Sequence, residues 1–284
     1  MGSGLFLFPP IFAAMYNSLV IKVGTNVLTR PDGRLDITNI SHLVDQIAAL
    51  KAAGISLVLV SSGAVGAGRE LLKVRAGTEE VARRQVQSAV GQVRLMEIYR
   101  QLFHNHGLLC AQVLATKGDF RDDLHADNML NCFRALLLDE VVPVVNENDV
   151  VAVTELMFTD NDELAGLVSR MLGVDALVIL SSVDGLFDGP PENANSKLIP
   201  HIAAGDESVL SFVQEKKTSF GRGGMATKLR IATKTAAAGI PVLLGNGRTP
   251  GILNGLIDGE WPGTTVKETG AGSRESGVGS QHPN

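Results

Sequence analysis

The chain has 284 residues, enough for one large α/β domain or two small ones, and its 45% hydrophobic but only 5% aromatic composition suits a parallel-sheet core of Val, Ile, Leu and Ala. A net charge of -5 argues against a dedicated nucleic-acid binder, which would carry a basic face. Two cysteines, Cys110 and Cys132, provide neither a disulfide framework nor paired zinc-ligand spacings, and they read as reduced thiols of a cytoplasmic protein.

Residues 1–14 contain an apolar run, Leu5 to Ala14, with no basic residue ahead of it and too few residues to span a bilayer. They read as an extension ahead of an internal start at Met15, outside the fold, and no membrane association is expected. Leu19-Val20-Ile21 with Val23 then forms a buried strand, interrupted by Lys22 and closed by Gly24. Ile40, Leu43, Val44, Ile47 and Leu50 recur at helical spacing, with Thr38 as the expected cap and Gly54 as the terminator. A strand at Ile55–Val60 follows.

The alternation continues with a helix-rich stretch over Glu79–His106, a strand near Leu109–Leu114, a helix near Ala126–Leu138 and a strand at Val141–Val145. Further along come a helix near Glu163–Leu172, a strand at Ala176–Leu180, a helix over Met225–Ala238 and a strand at Ile240–Leu244. Such a rhythm implies a mostly parallel sheet covered on both faces. Asp188 to Lys197 reads as a loop or small hairpin insertion, and residues 267–284, rich in Gly, Ser and Glu, read as a flexible tail. A single sheet is expected to run through residues 15–266.

Parallel sheets bind ligands beyond the carboxyl ends of their strands. Here those ends carry Lys22-Val23-Gly24-Thr25-Asn26, Ser61-Ser62-Gly63-Ala64, Asn146-Glu147-Asn148-Asp149, Ser181-Ser182-Val183-Asp184-Gly185 and Gly245-Asn246-Gly247. A lysine in a buried strand is costly unless its charge is paired or serves a ligand, and Gly24 leaves room for a phosphate beside it. Asp160-Asn161-Asp162 precedes a helix; one Asp suffices for capping, so the other polar groups are free for further work. Gly221-Arg222-Gly223-Gly224-Met225-Ala226-Thr227-Lys228 leads into a helix, an arrangement suited to receiving phosphates, with Lys228 adding charge. It is not a Walker loop, and no dinucleotide fingerprint, nucleophile elbow or zinc-binding H-E-x-x-H is present.

Taken in order and spacing, these segments, together with Ala89-Val90-Gly91-Gln92, resemble the amino acid kinase superfamily, and within it the branch that phosphorylates free glutamate, from about Val20 to Val266. The resemblance implies a three-layer α/β/α sandwich, with the amino acid in the front half and ATP in the back half. Lys22 and Lys228 would contact the transferring phosphoryl group, with Asp162 holding both ammonium groups. Ser62 and Gly63 would receive substrate, with Asn146, Asp149, Asp160 and Asn161 binding the amino-acid end. Gly24, Ser181, Ser182 and the run Gly223, Gly224, Met225, Ala226, Thr227 and Lys228 would lie against the nucleotide. ATP with Mg2+ and L-glutamate are the implied ligands, the product is glutamyl 5-phosphate for proline biosynthesis, and no protein metal ligand is assigned. Proline feedback and a homodimer or homotetramer are further implications of the same likeness.

Ser181-Ser182 departs from the Thr-Asp common in the family at the nucleotide strand, and the short polar tail implies a stand-alone kinase without an RNA-binding-like domain. The competing readings are an acetylglutamate, aspartate or uridylate kinase, against which Asn146-Glu147-Asn148-Asp149 favours free glutamate. A non-catalytic amino-acid sensor is a rival of another class, opposed by the intact Lys22, Asp162 and Lys228.

Overall fold

The structure, a computed structural model, describes residues 16–152, 157–212 and 224–268. The expected extension at 1–14, the loop glycines up to Gly223 and all but the first two residues of the expected tail lie outside the described residues. Strand β1 (Ser18–Val23) is followed by a single turn α1 (Thr25–Leu28), α2 (Ile37–Ala52), β2 (Ser56–Ser61), α3 (Ala64–Leu71) and α4 (Glu80–His104). Then come β3 (Cys110–Ala115), α5 (Asp123–Leu138), β4 (Val142–Glu147), α6 (Asn161–Leu172) and β5 (Ala176–Ser181). The chain continues through β6 (His201–Ala203), α7 (Met225–Ala236), β7 (Val242–Asn246), α8 (Ile252–Ile257) and β8 (Thr264–Lys267).

The strands form one eight-stranded sheet in the order β3-β4-β2-β1-β5-β7-β8-β6, as the sequence led one to expect of a single sheet. All pairings are parallel except β7 with β8, whose registry places Val242 opposite Val266. Parallel register brings the strand ends to one edge: Val23 lies beside both Ser61 and Leu180, Val60 beside Val145, and Ser181 beside Asn246. The chain leaves β1 toward β2 on one side and reaches β5 on the other, so the crevice at the carboxyl end of β1 is a topological switch point.

Side-chain alternation along the strands divides the core in two. Leu19, Ile21 and Val23 pack with Leu57, Leu59, Val178 and Leu180 under α2, α3, α4 and α8. Val20 packs with Val58, Val60, Leu177 and Ile179 under α5, α6 and α7. Lys22 shares the parity of Val20 and therefore points to the layer of α6 and α7. The three-layer α/β/α sandwich is thus present, and its pleat aims the anomalous lysine.

Local expectations were mostly met, with informative shifts. Helix α2 is capped by Asp36, which accepts from the Asn39 amide at 3.2 Å, rather than by Thr38; the aspartate lies two residues earlier, directly after Leu35, which is bridged to Thr29. Gly54 follows in the left-handed region at φ 86, as a helix terminator should. The insertion forms a small hairpin, with Phe187 bridged to Leu198. Strand β8 extends to Lys267, one residue past the expected boundary.

Helices α3 and α4 approach unusually closely, and the cause is glycine. A Cβ on Gly91 would stand 1.8 Å from the Ala64 carbonyl oxygen, and one on Gly68 would stand 1.8 Å from that of Gln87. Gly91→Ala is expected to cost about 3 kcal/mol, because the obstacle is backbone that cannot turn aside. A denaturant midpoint within error of the wild type would contradict this packing.

Candidate active site

The site starts from one residue of α6. Asp160 caps the helix, its Oδ1 accepting from the amides of Asp162 and Glu163 at 2.9 and 3.1 Å, and this sets Asn161 and Asp162 in the first turn facing the sheet. Asp162 is wholly buried: Oδ1 lies 2.6 Å from Lys22 Nζ and Oδ2 lies 2.8 Å from Lys228 Nζ. Lys22 comes from β1 and Lys228 from the first turn of α7. The structure thus brings the two lysines singled out in the sequence together at Asp162.

The electrostatics follow from burial and charge. Burial pushes the Asp162 carboxyl up, but the two ammonium groups outweigh it and hold it well below the usual carboxylate range. Burial lowers Lys22, against the pull of Asp162 and with the repulsion of Lys228. In Lys228, which is less enclosed, attraction by Asp162 and Asp160 outweighs burial and raises the pKa. Asp160 is raised by burial and by Asp162, against the opposing pull of both lysines, and its Oδ2 has no partner among the described residues. Two cations held by one ionised carboxylate leave an excess of positive charge, which suits an anion.

Two cavities meet here. One, of about 260 Å³, is lined by Lys22, Gly24, Ser181, the 185–192 hairpin, Gly224, Met225 and Lys228. The other, of about 1520 Å³, is lined by Gly63, Arg84, Asn146, Glu147 and Asp149 among others. Ser62, Asp160, Asn161 and Ser182 border both. The expected substrate and nucleotide residues are therefore divided between two spaces sharing one wall. Ala226 and Thr227 lie in the first turn of α7 but border neither cavity, and Gly223 lies outside the described residues.

Individual groups are more specific than the sequence suggested. The Gly24 amide donates to the Leu180 carbonyl at 3.2 Å, so Gly24 offers a ligand space rather than an N–H; a Cβ there would lie 3.4 Å from Lys22 Nζ. The Ser62 amide is likewise engaged by the Val23 carbonyl, while its hydroxyl accepts from Asn161 Nδ2 at 3.0 Å. Gly63, at φ 101, adopts a conformation that favours glycine and starts α3, whose first residues line the larger cavity. Asn161 Nδ2 also donates to Asn146 Oδ1 at 2.9 Å, tying β4 to α6. Ser181 Oγ turns to Val183 in its own loop.

Helix α4 supplies what sequence reasoning missed. Arg84, Ser88 and Gln92, four residues apart on one face, grip the end of β4. Arg84 Nη2 and Nε donate to Asp149 Oδ1 at 2.6 and 3.1 Å, Ser88 Oγ donates to Oδ2 at 2.9 Å, and Gln92 Oε1 accepts from Asn146 Nδ2 at 2.9 Å. The Ala89-Val90-Gly91-Gln92 motif contained one of these residues, and the four-residue spacing was the available signal.

Glu147 is buried beside them, Oε1 accepting from the Phe158 amide at 2.8 Å, and burial pushes its carboxyl up to about 7 despite that bond and Arg84. A carboxyl raised in the folded state holds its proton more tightly than in the unfolded chain, so the protein loses stability as Glu147 ionises. Wild type is expected to lose thermal stability relative to Glu147→Gln as pH rises from about 4.5, the ordinary glutamate value, to about 7, and to lose no more above it. Parallel melting curves for the two proteins across that range would contradict the assignment.

A switch-point crevice in which two lysines flank a buried aspartate, with a helix N-terminus behind one of them, is an arrangement suited to receiving phosphates. The sequence profile described as the Amino acid kinase family matches residues 17–246, and the chain belongs to that family. It is 50% identical over 250 residues to a protein of Chlorobaculum tepidum named Glutamate 5-kinase, covering 88% of this chain and 69% of the relative. A Bacteroides thetaiotaomicron relative of the same name is 45% identical over 251 residues, with the same coverage. A Clostridium tetani relative, also so named, is 37% identical over 248 residues, covering 87% of this chain and 93% of the relative. Among solved structures, a carbamate kinase from Giardia lamblia bound to AMP-PNP shares the fold at TM-score 0.64 and 19% identity, over 90% of this chain and 100% of that one.

Proposed function

We propose that the protein transfers the terminal phosphoryl group of ATP to the γ-carboxylate of L-glutamate, giving glutamyl 5-phosphate and ADP, the first step of proline biosynthesis. The observation that carries this reading is Asp162, wholly buried between Lys22 at 2.6 Å and Lys228 at 2.8 Å beside the wall shared by the two cavities. Relatives named Glutamate 5-kinase, at 50% and 45% identity, support the choice of acceptor.

A carboxylate is already a nucleophile, so the reaction needs no general base. What it needs is alignment of two anions and neutralisation of the charge that spreads over the transferring group. Nucleotide phosphates in the smaller cavity would meet Gly224, Met225 and Lys228 at the start of α7, and the acceptor in the larger cavity would meet Ser62, Gly63, Asn146, Asp149 and Asn161. Lys22 and Lys228 bring positive charge to the junction, and Asp162 fixes both ammonium groups. Mg2+ enters with ATP as part of the substrate; the Asp160 side chain, with one oxygen unpartnered among the described residues, is a group that could reach that ion. The same reading carries cytoplasmic location, proline as a feedback inhibitor and assembly as a homo-oligomer.

The test is ADP release measured with glutamate, acetylglutamate, aspartate and UMP, with hydroxylamine present to trap an acyl phosphate as its hydroxamate. Glutamate alone should give rapid ADP release and a hydroxamate. Activity confined to UMP would overturn the choice of acceptor, and ligand binding without turnover would make the protein a sensor.

A further inference from the structure

Glutamate presents three charges, and the residues assigned so far answer only part of that pattern. Asp149 suits the α-ammonium group, but its negative charge would repel the α-carboxylate one carbon away. A cation beside Asp149 is what an α-amino-acid zwitterion requires, and one is present. Arg84 approaches Asp149 with two nitrogens, Nη2 at 2.6 Å and Nε at 3.1 Å, and Ser88 holds the other carboxylate oxygen at 2.9 Å. The orientation of the ion pair is thereby set by a helix whose own position is fixed by its backbone contact with α3.

The two partners differ in exposure. The Asp149 side chain is 8% exposed, whereas that of Arg84 is 30% exposed and borders the larger cavity with Ser62, Asn146 and Asn161. Nη1 of Arg84 has no partner among the described residues, and a guanidinium carries five donors in a planar fork suited to a carboxylate. We propose, resting on the reading of the site as a glutamate kinase, that Arg84 is a specificity-determining residue that receives the α-carboxylate of glutamate, while the Asp149 it orients receives the ammonium group. The pair then reads the zwitterion as a unit, leaving the γ-carboxylate to extend toward Lys22 and Lys228.

The experiment compares L-glutamate with L-isoglutamine, its α-amide, which keeps the ammonium group and the γ-carboxylate but lacks the α-charge. KM, or Ki against glutamate where turnover is slow, is measured for wild type, Arg84→Met and Arg84→Lys, with thermal melting and the KM for ATP as checks on folding. Wild type should prefer glutamate, and Arg84→Met should reduce that preference by roughly tenfold or more, with Arg84→Lys retaining part of it. If both ligands weaken by the same factor, Arg84 merely supports Asp149 and the proposal fails; an unchanged preference also overturns it. Wild type active on glutamate but indifferent to the α-charge would overturn this inference alone, whereas wild type inactive on glutamate would overturn the proposed function with it.

Discussion

Lys228→Ala is expected to lower kcat by roughly a hundredfold or more, because in the proposed reaction its ammonium group would lie where negative charge develops during transfer. Its Nζ lies 2.8 Å from Asp162 Oδ2, and its helix begins at Met225, so the lysine sits in the first turn of α7 and lines the smaller cavity with Gly224 and Met225. The side chain is attached at the rim, whereas the rest of α7 is held by Leu229, Ala232 and Ala236 in the core beneath α6 and the sheet. Truncation therefore leaves a folded protein, and the loss falls on turnover. Near-normal kcat in a folded Lys228→Ala protein would remove this residue from the chemistry.

Asp162→Asn has the larger consequence, because it acts on stability and on rate. The carboxylate is the buried counter-charge of two ammonium groups at 2.6 and 2.8 Å, and leaving buried charges uncompensated typically costs about 3–5 kcal/mol. Lys22 is already lowered by burial, and Asp162 is the main group opposing that burial. With an amide there, the Lys22 pKa falls further and Lys22 loses its proton at a lower pH. Turnover is expected to drop by roughly a thousandfold, with the alkaline limb of the kcat profile moving toward neutral pH. A variant with wild-type turnover and an unmoved alkaline limb would show that Asp162 does not organise the lysines.

The legibility of this molecule in its sequence followed burial and period. Lys22 was visible because a charge inside a Val-Ile run violates the pattern around it, and the pleat then fixed which layer it faced. The β1, β2, β4, β5 and β7 ends were visible as polar punctuation, and parallel register brought them to one edge. Lys228 was carried by the family resemblance around Gly224-Met225, since a lysine in the first turn of an amphipathic helix breaks no local rule. The cap of α2 was misplaced because Asp36 and Thr38 are both good capping residues, and only the path of the preceding chain distinguishes them. Strand β8 was missed because a four-residue antiparallel strand beside a parallel sheet lacks the strand-helix rhythm that located the others.

Arg84 was missed for a different reason. Arginines abound on exposed helix faces, and nothing local separates Arg84 from Arg83, its neighbour. Its significance arises from contact with Asp149, 65 residues away in sequence. The crossing of α3 and α4 behaves likewise: Gly68 and Gly91 are ordinary glycines until the backbone approaching each one is known.

The central claim is that the γ-carboxylate oxygen of glutamate is itself the nucleophile, aligned by Lys22, Asp162 and Lys228. It is tested most directly with glutamate carrying ¹⁸O in both γ-carboxylate positions, incubated with ATP and the protein in the presence of hydroxylamine. Hydroxylamine attacks the acyl carbon and releases the phosphoryl group with its bridging oxygen. The account predicts phosphate bearing one ¹⁸O atom per hydroxamate formed; phosphate released without label would contradict it.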